Sequence, residues 1–224
     1  MAVDYNILIN KKVDENSVVP IRDQILQIAV YDEFKAYETY TRIIQKFGNI
    51  NPFVNIKEAE AIHYSSLIQL MQKYSVEVPQ NDWVTKEIFI PNSQIECCEM
   101  GVAGEIDNIA MYNHLLTYAK DSDIIDMLFR LQAASYNNHL PAFRNSVYSY
   151  YNSSSSKTVN QENVMQKMQE YQEILNNIMS GNIDEEAISS LFSKLNLSLV
   201  GGAASGAAMI LLLNSLLSQN SNKE

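Results

Sequence analysis

The amino-acid sequence predicts an all-α protein, in which a four-helix bundle with one long crossover is followed by a C-terminal helical tail. Three observations lead to this prediction. Apolar residues recur at helical spacing in four long segments before a serine-rich stretch. The 224 residues include only 7 Gly and 5 Pro, too few for the frequent turns of an all-β protein. The hydrophobic fraction of 46% is sufficient for a sizeable core.

The first two helices are predicted to form an antiparallel hairpin. The first covers residues 21–47, and Gly48 follows it as a favourable residue for ending a helix. The second covers residues 55–74. Because only residues 48–52 connect the two, we expect them to pack side by side in opposite directions.

The third and fourth helices are expected to form a second hairpin. They cover residues 93–119 and 123–147, and Ser122 or Asp121 is the expected N-cap of the fourth. Residues 75–92 connect the two hairpins and contain Pro79 and Pro91. An extended connection of this size spans about 50 Å at ~3.3 Å per residue. It can therefore cross the whole length of a bundle whose helices extend ~30–40 Å.

The second helix carries a motif typical of metal sites. Glu60 and His63 are three residues apart and project from the same helical face. Ile56, Ile62 and Leu67 are apolar neighbours of this pair. A carboxylate and an imidazole beside a core-facing stripe are costly unless they are paired or bind a metal. Taken alone, the motif also fits a boundary glutamate beside a hydrogen-bonded histidine.

The other three helices each offer a candidate ligand near the middle. Glu33 lies in the first helix, Glu105 in the third and His139 in the fourth. Glutamates and histidines that project inward from four helices form the metal sites of carboxylate-bridged bundles. Mixed carboxylate and imidazole ligands suit Fe(II) or Mn(II). The combination therefore predicts a metal site.

Four segments carry a resemblance to a known family. They are residues 32–40 (DEFKAYETY), 53–63 (FVNIKEAEAIH), 101–109 (GVAGEIDNI) and 135–143 (SYNNHLPAF). In this order they resemble the ferritin-like superfamily, most closely its uncharacterised DUF2202-type branch, over about two-thirds of the chain. The resemblance implies a non-haem di-iron centre in a ferritin-like bundle, with iron oxidation linked to O₂ or peroxide. The ligands that it implies are Glu33, Glu60, His63, Glu105 and His139.

One position departs from the ferritin pattern. Where that pattern has a glutamate three residues before the histidine of the fourth helix, this chain has Tyr136. Two interpretations of Tyr136 remain open: a metal ligand or electron donor with a catalytic role, or a residue of the packed core. With one carboxylate fewer, a second metal is expected to bind weakly or not at all.

Other chemically active side chains are expected to lie outside the site. Asp107 is two residues from Glu105 and therefore points away from it. His114 is expected at the surface or at its boundary. The two cysteines, Cys97 and Cys98, are expected to be small buried hydrophobic residues.

Charge and cysteine content limit the partners and the compartment. With 16 Lys and Arg against 26 Asp and Glu, the net charge is −10, which would repel nucleic acid. The two adjacent cysteines favour a reducing, cytoplasmic compartment, and the N-terminal residues lack the apolar stretch of a signal peptide.

The C-terminal part is predicted to be an appendage to the globular domain of residues 1–150. A serine-rich linker at residues 151–158 precedes a helical tail at 159–224. Residues 197–217 contain no charge, and as a helix they would extend ~31 Å, the thickness of a bilayer core. Three interpretations remain open: a membrane anchor, a buried helix that closes a homo-oligomer, and a peptide that docks to another assembly.

The sequence thus supports two hypotheses of function. The first is a ferritin-like protein with a di-iron or Fe/Mn centre, which handles or oxidises Fe(II) with O₂ or peroxide. The second is a helical interaction module with one metal or none, tethered to a membrane or larger assembly by its tail.

Overall fold

The computed structural model describes residues 3–153, which form helices and connecting segments without a β-strand. The prediction of an all-α bundle fold is confirmed. Six α-helices follow one another in this part of the chain: α1 (Tyr5–Asn10), α2 (Ile21–Phe47), α3 (Phe53–Lys73), α4 (Gln94–Tyr118), α5 (Ser122–Ala134) and α6 (Leu140–Ser153). The sequence did not predict α1, which has only six residues.

Helix α2 has the bounds that its sequence predicts. Its apolar residues face the core, where Ile25 and Ile28 are fully buried. At the end of the helix, Gly48 has a φ of +86° and donates its N–H to the carbonyl of Ile44 at 2.8 Å. Such a positive φ favours glycine, so Gly48 ends the helix and allows α3 to begin five residues later.

The described residues separate into two compact units. The first contains residues up to Ile90 and Met111–Ser135, and the second contains Pro91–Ala110 and the described residues from Tyr136 onward. The first unit has an extensive apolar core, contributed by α1, α2, α3, the C-terminal end of α4 and α5. Its fully buried members include Leu26, Leu67, Tyr112 and Leu128.

The connection between α3 and α4 is held against α2 within the first unit. It contains a short 3₁₀ helix, Asp82–Val84. The Tyr31 hydroxyl donates to Asp82 Oδ1 at 2.7 Å and accepts from Lys86 Nζ at 2.6 Å. Arg42 donates to the carbonyl of Trp83 at 2.7 Å. These bonds keep the long connection on the surface of α2, which also carries Glu33.

The fourth predicted helix, residues 123–147, is not one continuous α-helix. A π-helical turn, Ser135–His139, separates α5 from α6. Pro141 offers a physical reason, because it lacks the N–H that would bond to the carbonyl of Asn137 inside this turn. Helix α5 begins at Ser122, and Asp121 precedes it without a side-chain capping bond.

The predicted C-terminal features lie largely beyond the described residues. Helix α6 is described as far as Ser153, and the predicted boundary at residue 150 stays a prediction. The remainder of the linker at 151–158, the tail at 159–224 and its segment 197–217 are outside the described part of the chain. Among residues 3–153, no helix is long and apolar enough to cross a membrane.

Candidate metal centre

Three of the five predicted ligands lie together in the first unit. Helix α2 provides Glu33, and α3 provides Glu60 and His63. The two carboxylates are buried, with 2% and 1% of their surfaces exposed, whereas His63 is half-buried. Each of the three residues offers a ligand atom within 4.8 Å of the others.

The histidine nitrogen of this cluster lies close to an oxygen of each glutamate. His63 Nδ1 lies 2.8 Å from Glu60 Oε2 and 3.3 Å from Glu33 Oε2. Two ligands that bind one ion at about 2.1 Å are roughly 3.0–3.4 Å apart at right or tetrahedral angles. The distance from His63 to Glu33 lies in this range, whereas that from His63 to Glu60 is a hydrogen-bond distance. The donor set of two carboxylates and one imidazole suits a first-row divalent cation in its chemistry.

The buried face of α3 explains why Glu60 points inward. Its buried members are Phe53, Ile56, Glu60, Leu67, Leu70 and Met71. They recur every three or four residues, so Glu60 occupies a core position of the helix. Ile62, which the sequence pattern places beside the same stripe, is 66% exposed. The prediction that Ile62 shares the buried face with Glu60 is wrong, because residues two positions apart on a helix are rotated by about 200° from each other.

Glu33 has a further partner in Tyr112, which lies near the C-terminal end of α4. The Tyr112 hydroxyl donates to Glu33 Oε1, and Tyr112 is fully buried. Burial alone would raise the pKa of Glu33, but hydrogen bonds with His63, Glu60 and Tyr112 outweigh it and lower this pKa from 4.5 to about 2. Glu33 is therefore ionised at neutral pH.

Sequence reasoning did not identify Tyr112. A signal was available, because Tyr112 follows Glu105 by seven residues, or two helical turns, and so shares its helical face. Burial also raises the pKa of Tyr112 well above 10, and the nearby charge of Glu33 adds to this effect. Tyr112 is consequently a neutral hydrogen-bond donor at physiological pH.

The other two predicted ligands lie together in the second unit. Glu105 projects from α4, and His139 is the last residue of the π-helical turn. His139 Nδ1 lies 3.5 Å from Glu105 Oε1, and the two residues are 4% and 2% exposed. Each unit therefore contains a pair in which a histidine Nδ1 faces the carboxylate of a buried glutamate.

Tyr136 lies in the same π-helical turn as His139. It is half-buried, whereas Ser135 and His139 are buried. The comparison of Tyr136 with the glutamate of the ferritin pattern assumes α-helical spacing between positions 136 and 139. A π turn contains more residues than an α turn, so this assumption does not hold here. The catalytic role of Tyr136 stays a prediction.

The remaining reactive side chains of α4 have structural contacts. His114 is half-buried, and its Nε2 accepts the N–H of Val13 at 3.2 Å, so its expected boundary position is confirmed. Asp107 is half-buried. Cys97 and Cys98 are buried free thiols, and burial raises the pKa of Cys98 to about 11. Their expected packing as small hydrophobic residues is confirmed.

Comparisons with known proteins give evidence on the fold of this chain but none on its chemistry. No family model matches the chain, and no curated protein matches it. Among solved structures, a hypothetical protein from Methanococcus jannaschii DSM 2661 is similar, with a TM-score of 0.53 and 20% sequence identity. The match covers 74% of this chain and 97% of that protein. A likeness at this identity shows a shared fold.

Proposed function

We propose that this protein is a ferritin-like metalloprotein that binds iron at Glu33, Glu60 and His63, with Glu105 and His139 as further ligands. The proposal extends to a di-iron or Fe/Mn centre that handles or oxidises Fe(II), with O₂ or peroxide as the second reactant. One observation carries it: two buried glutamates and a histidine Nδ1 lie within 4.8 Å of one another in the first unit.

The charge of this cluster supports the proposal. Glu33 and Glu60 are almost completely buried, and ionised carboxylates are costly to bury without compensation. Glu33 is ionised, and its hydrogen bond with Glu60 requires a proton on Glu60 while no cation is bound. A divalent cation would take the place of that proton, balance the charges of both carboxylates, and replace the short contacts of their oxygens with His63 by metal–ligand bonds.

The ligand types also favour iron or manganese. Carboxylate oxygens and imidazole nitrogen accept hard to borderline cations, whereas zinc sites of the structural class use cysteine. Cys97 and Cys98 are buried free thiols, and Cys97 Sγ lies 3.9 Å from the carbonyl oxygen of Pro91. When bound, iron would supply one-electron oxidation chemistry, while the glutamates and histidines hold it.

Several parts of the proposal rest on the sequence alone. These are the second metal ion, assembly into a homo-oligomer, a cytoplasmic location and attachment through residues 197–217 to a membrane or assembly. The rival hypothesis of a tethered interaction module with one metal or none differs from the proposal in metal content. The number of metal ions per chain therefore separates the two.

Metal analysis of the full chain tests the proposal. Protein purified without chelator, or reconstituted anaerobically with Fe(II), is expected to contain about two irons per chain, whereas one iron per chain would favour the tethered interaction module. Glu60→Ala and His63→Ala should lose most of this iron. Glu58→Ala and His114→Ala are matched controls, because Glu58 is exposed on the same helix as Glu60 and His114 contacts Val13. The controls should retain iron. Absence of bound metal in the reconstituted wild-type protein would refute the proposal.

A further inference from the structure

We infer that Tyr112 is a positioning residue for the metal site: its hydroxyl occupies one oxygen of Glu33 and leaves the other for the metal. The inference rests on the proposed function and concerns how Glu33 would bind. It makes Glu33 a ligand through one oxygen, Oε2, because Oε1 is engaged by Tyr112.

The contacts of the two carboxylate oxygens carry this inference. Glu33 Oε1 accepts the hydroxyl of Tyr112, whereas Oε2 lies 3.3 Å from His63 Nδ1. Glu60 also contacts His63, because its Oε2 is 2.8 Å from the same nitrogen. Oε2 of Glu33 therefore faces the other two candidate ligands. The geometry thus separates an oxygen that faces the other donors from an oxygen that faces α4.

The position of Tyr112 is rigid enough for this role. Its side chain is fully buried and belongs to the apolar core of the first unit. A buried ring has little freedom to rotate, so the hydroxyl remains directed at Glu33. Hydrogen bonds to ligand carboxylates orient them, and their removal typically weakens metal binding by 10–100-fold.

A ligand that binds through one oxygen occupies one coordination position instead of two. The position that Glu33 does not occupy remains available to a water or a small oxidant. Without the hydroxyl, both oxygens of Glu33 could turn to the metal, and the coordination number would rise. Tyr112 would therefore control both the affinity of the site and its openness.

Cobalt(II) binding to the full chain tests this role, because the absorption of Co(II) in the visible range reports its coordination number. Tyr112→Phe keeps the ring and removes only the hydroxyl. We expect this variant to bind Co(II) about tenfold more weakly. We also expect its visible bands to be weaker and displaced, as they are when the coordination number increases.

Tyr118→Phe is the matched control. Tyr118 lies on the same helix as Tyr112 and also directs its hydroxyl at a glutamate, Glu15, at 3.3 Å. Glu15 is not a candidate ligand, so this control should bind Co(II) with wild-type affinity and spectrum. If Tyr112→Phe also matches the wild type in both, the inference is wrong while the proposed metal site stands. If the wild type binds no Co(II) and no iron, the proposed function fails and the inference fails with it.

Folding of the variants is checked by their helical circular dichroism. Should Tyr112→Phe not fold, 3-fluorotyrosine at position 112 provides a second variant of nearly unchanged shape. Its hydroxyl is kept and still donates to Glu33 Oε1, so the Co(II) affinity and visible bands should stay close to those of the wild type. Weaker and displaced bands with 3-fluorotyrosine would overturn the inference.

Discussion

Gly101 lies against the ring of Phe143 in the second unit, so closely that a Cβ atom at position 101 would be 2.7 Å from two ring carbons. Gly101 precedes Glu105 by about one helical turn, and Phe143 follows His139 by about one turn. The close approach of α4 and α6 at this point therefore adjoins the contact between Glu105 and His139. The glycine allows the two helices to bring these side chains within 3.5 Å of each other.

Gly101→Ala is expected to destabilise the protein by about 1–3 kcal/mol, because the fully buried ring of Phe143 cannot move away without repacking its neighbours. Urea unfolding measures the effect. Gly104→Ala is the control, since no atom lies within 4 Å of a Cβ at this exposed helical position. It should stabilise the protein by up to about 1 kcal/mol through helix propensity. Equal stability of the two variants would contradict the close packing.

The buried thiol of Cys98 is expected to be unreactive in the folded protein. Burial raises its pKa from 9.0 to about 11, and the hydrogen bond with Ser146 opposes this only in part. At pH 8 almost no thiolate is present, so a disulfide reagent should modify Cys98 only after unfolding. Since the folded pKa is the higher one, the contribution of Cys98 to stability should be lost as the pH rises from about 9 to about 11. Rapid modification of the native protein at pH 8 would be the contrary result.

Asp123 at the start of α5 is expected to titrate far below the usual range. Its carboxylate accepts hydrogen bonds from Lys73 and Tyr74, at the end of α3, at 2.5 and 2.6 Å. Lys73 has the larger effect, and together they lower the pKa of Asp123 from 3.8 to about 2. Because the folded pKa is depressed, the stabilisation is complete above about pH 4 and disappears as the pH falls through about 2.

Carboxyl NMR titration of Asp123 measures this midpoint directly. Lys73→Met should move the midpoint upward, toward 3.8, because it removes the principal donor. The shift should also diminish in high salt, since the groups are exposed and ions screen them. A midpoint near 3.8 in the wild-type protein would show that this contact between α3 and α5 does not persist in solution.

The bounds of a helix were predictable from the sequence where its apolar spacing and its helix-ending residue agree. Helix α2 has the predicted bounds because its apolar spacing is regular and Gly48 follows its last turn. Glu60 recurs in register with the buried apolar residues of α3, so periodicity identifies it as a side chain that points inward. Periodicity does not single out Glu33 in the same way, because every residue of α2 from Asp23 to Phe34 is buried.

The parts that sequence reasoning missed depend on backbone irregularity and on long-range contacts. The π-helical turn changes which residues share a face with His139. A prediction that assumes α-helical spacing therefore assigns the wrong residues to that face. Pro141 was the available signal for the irregularity. The contact between Tyr112 and Glu33 joins positions 79 residues apart. This contact forms only because α4 packs near α2 within the first unit.

Glu60→Gln is expected to affect stability differently with and without metal. In the metal-free protein, the substitution removes one of two buried carboxylates, while the amide can still donate a hydrogen bond to Glu33. We therefore expect the free energy of unfolding to be unchanged or to rise by at most about 1 kcal/mol, the net contribution of a typical hydrogen bond. Glu58→Gln on the exposed face of α3 should leave it unchanged.

Addition of Mn(II) should reverse this order. At a concentration 100 times its dissociation constant, a ligand that binds only the folded state stabilises it by about 2.7 kcal/mol. The wild type and Glu58→Gln should gain this stabilisation, whereas Glu60→Gln should gain little because it lacks a ligand carboxylate. Urea unfolding with and without Mn(II) measures the stabilisation of each of the three proteins. If Glu60→Gln gains as much as the wild type, Mn(II) binds elsewhere, and the short distance between Glu60 and His63 is only a buried hydrogen bond.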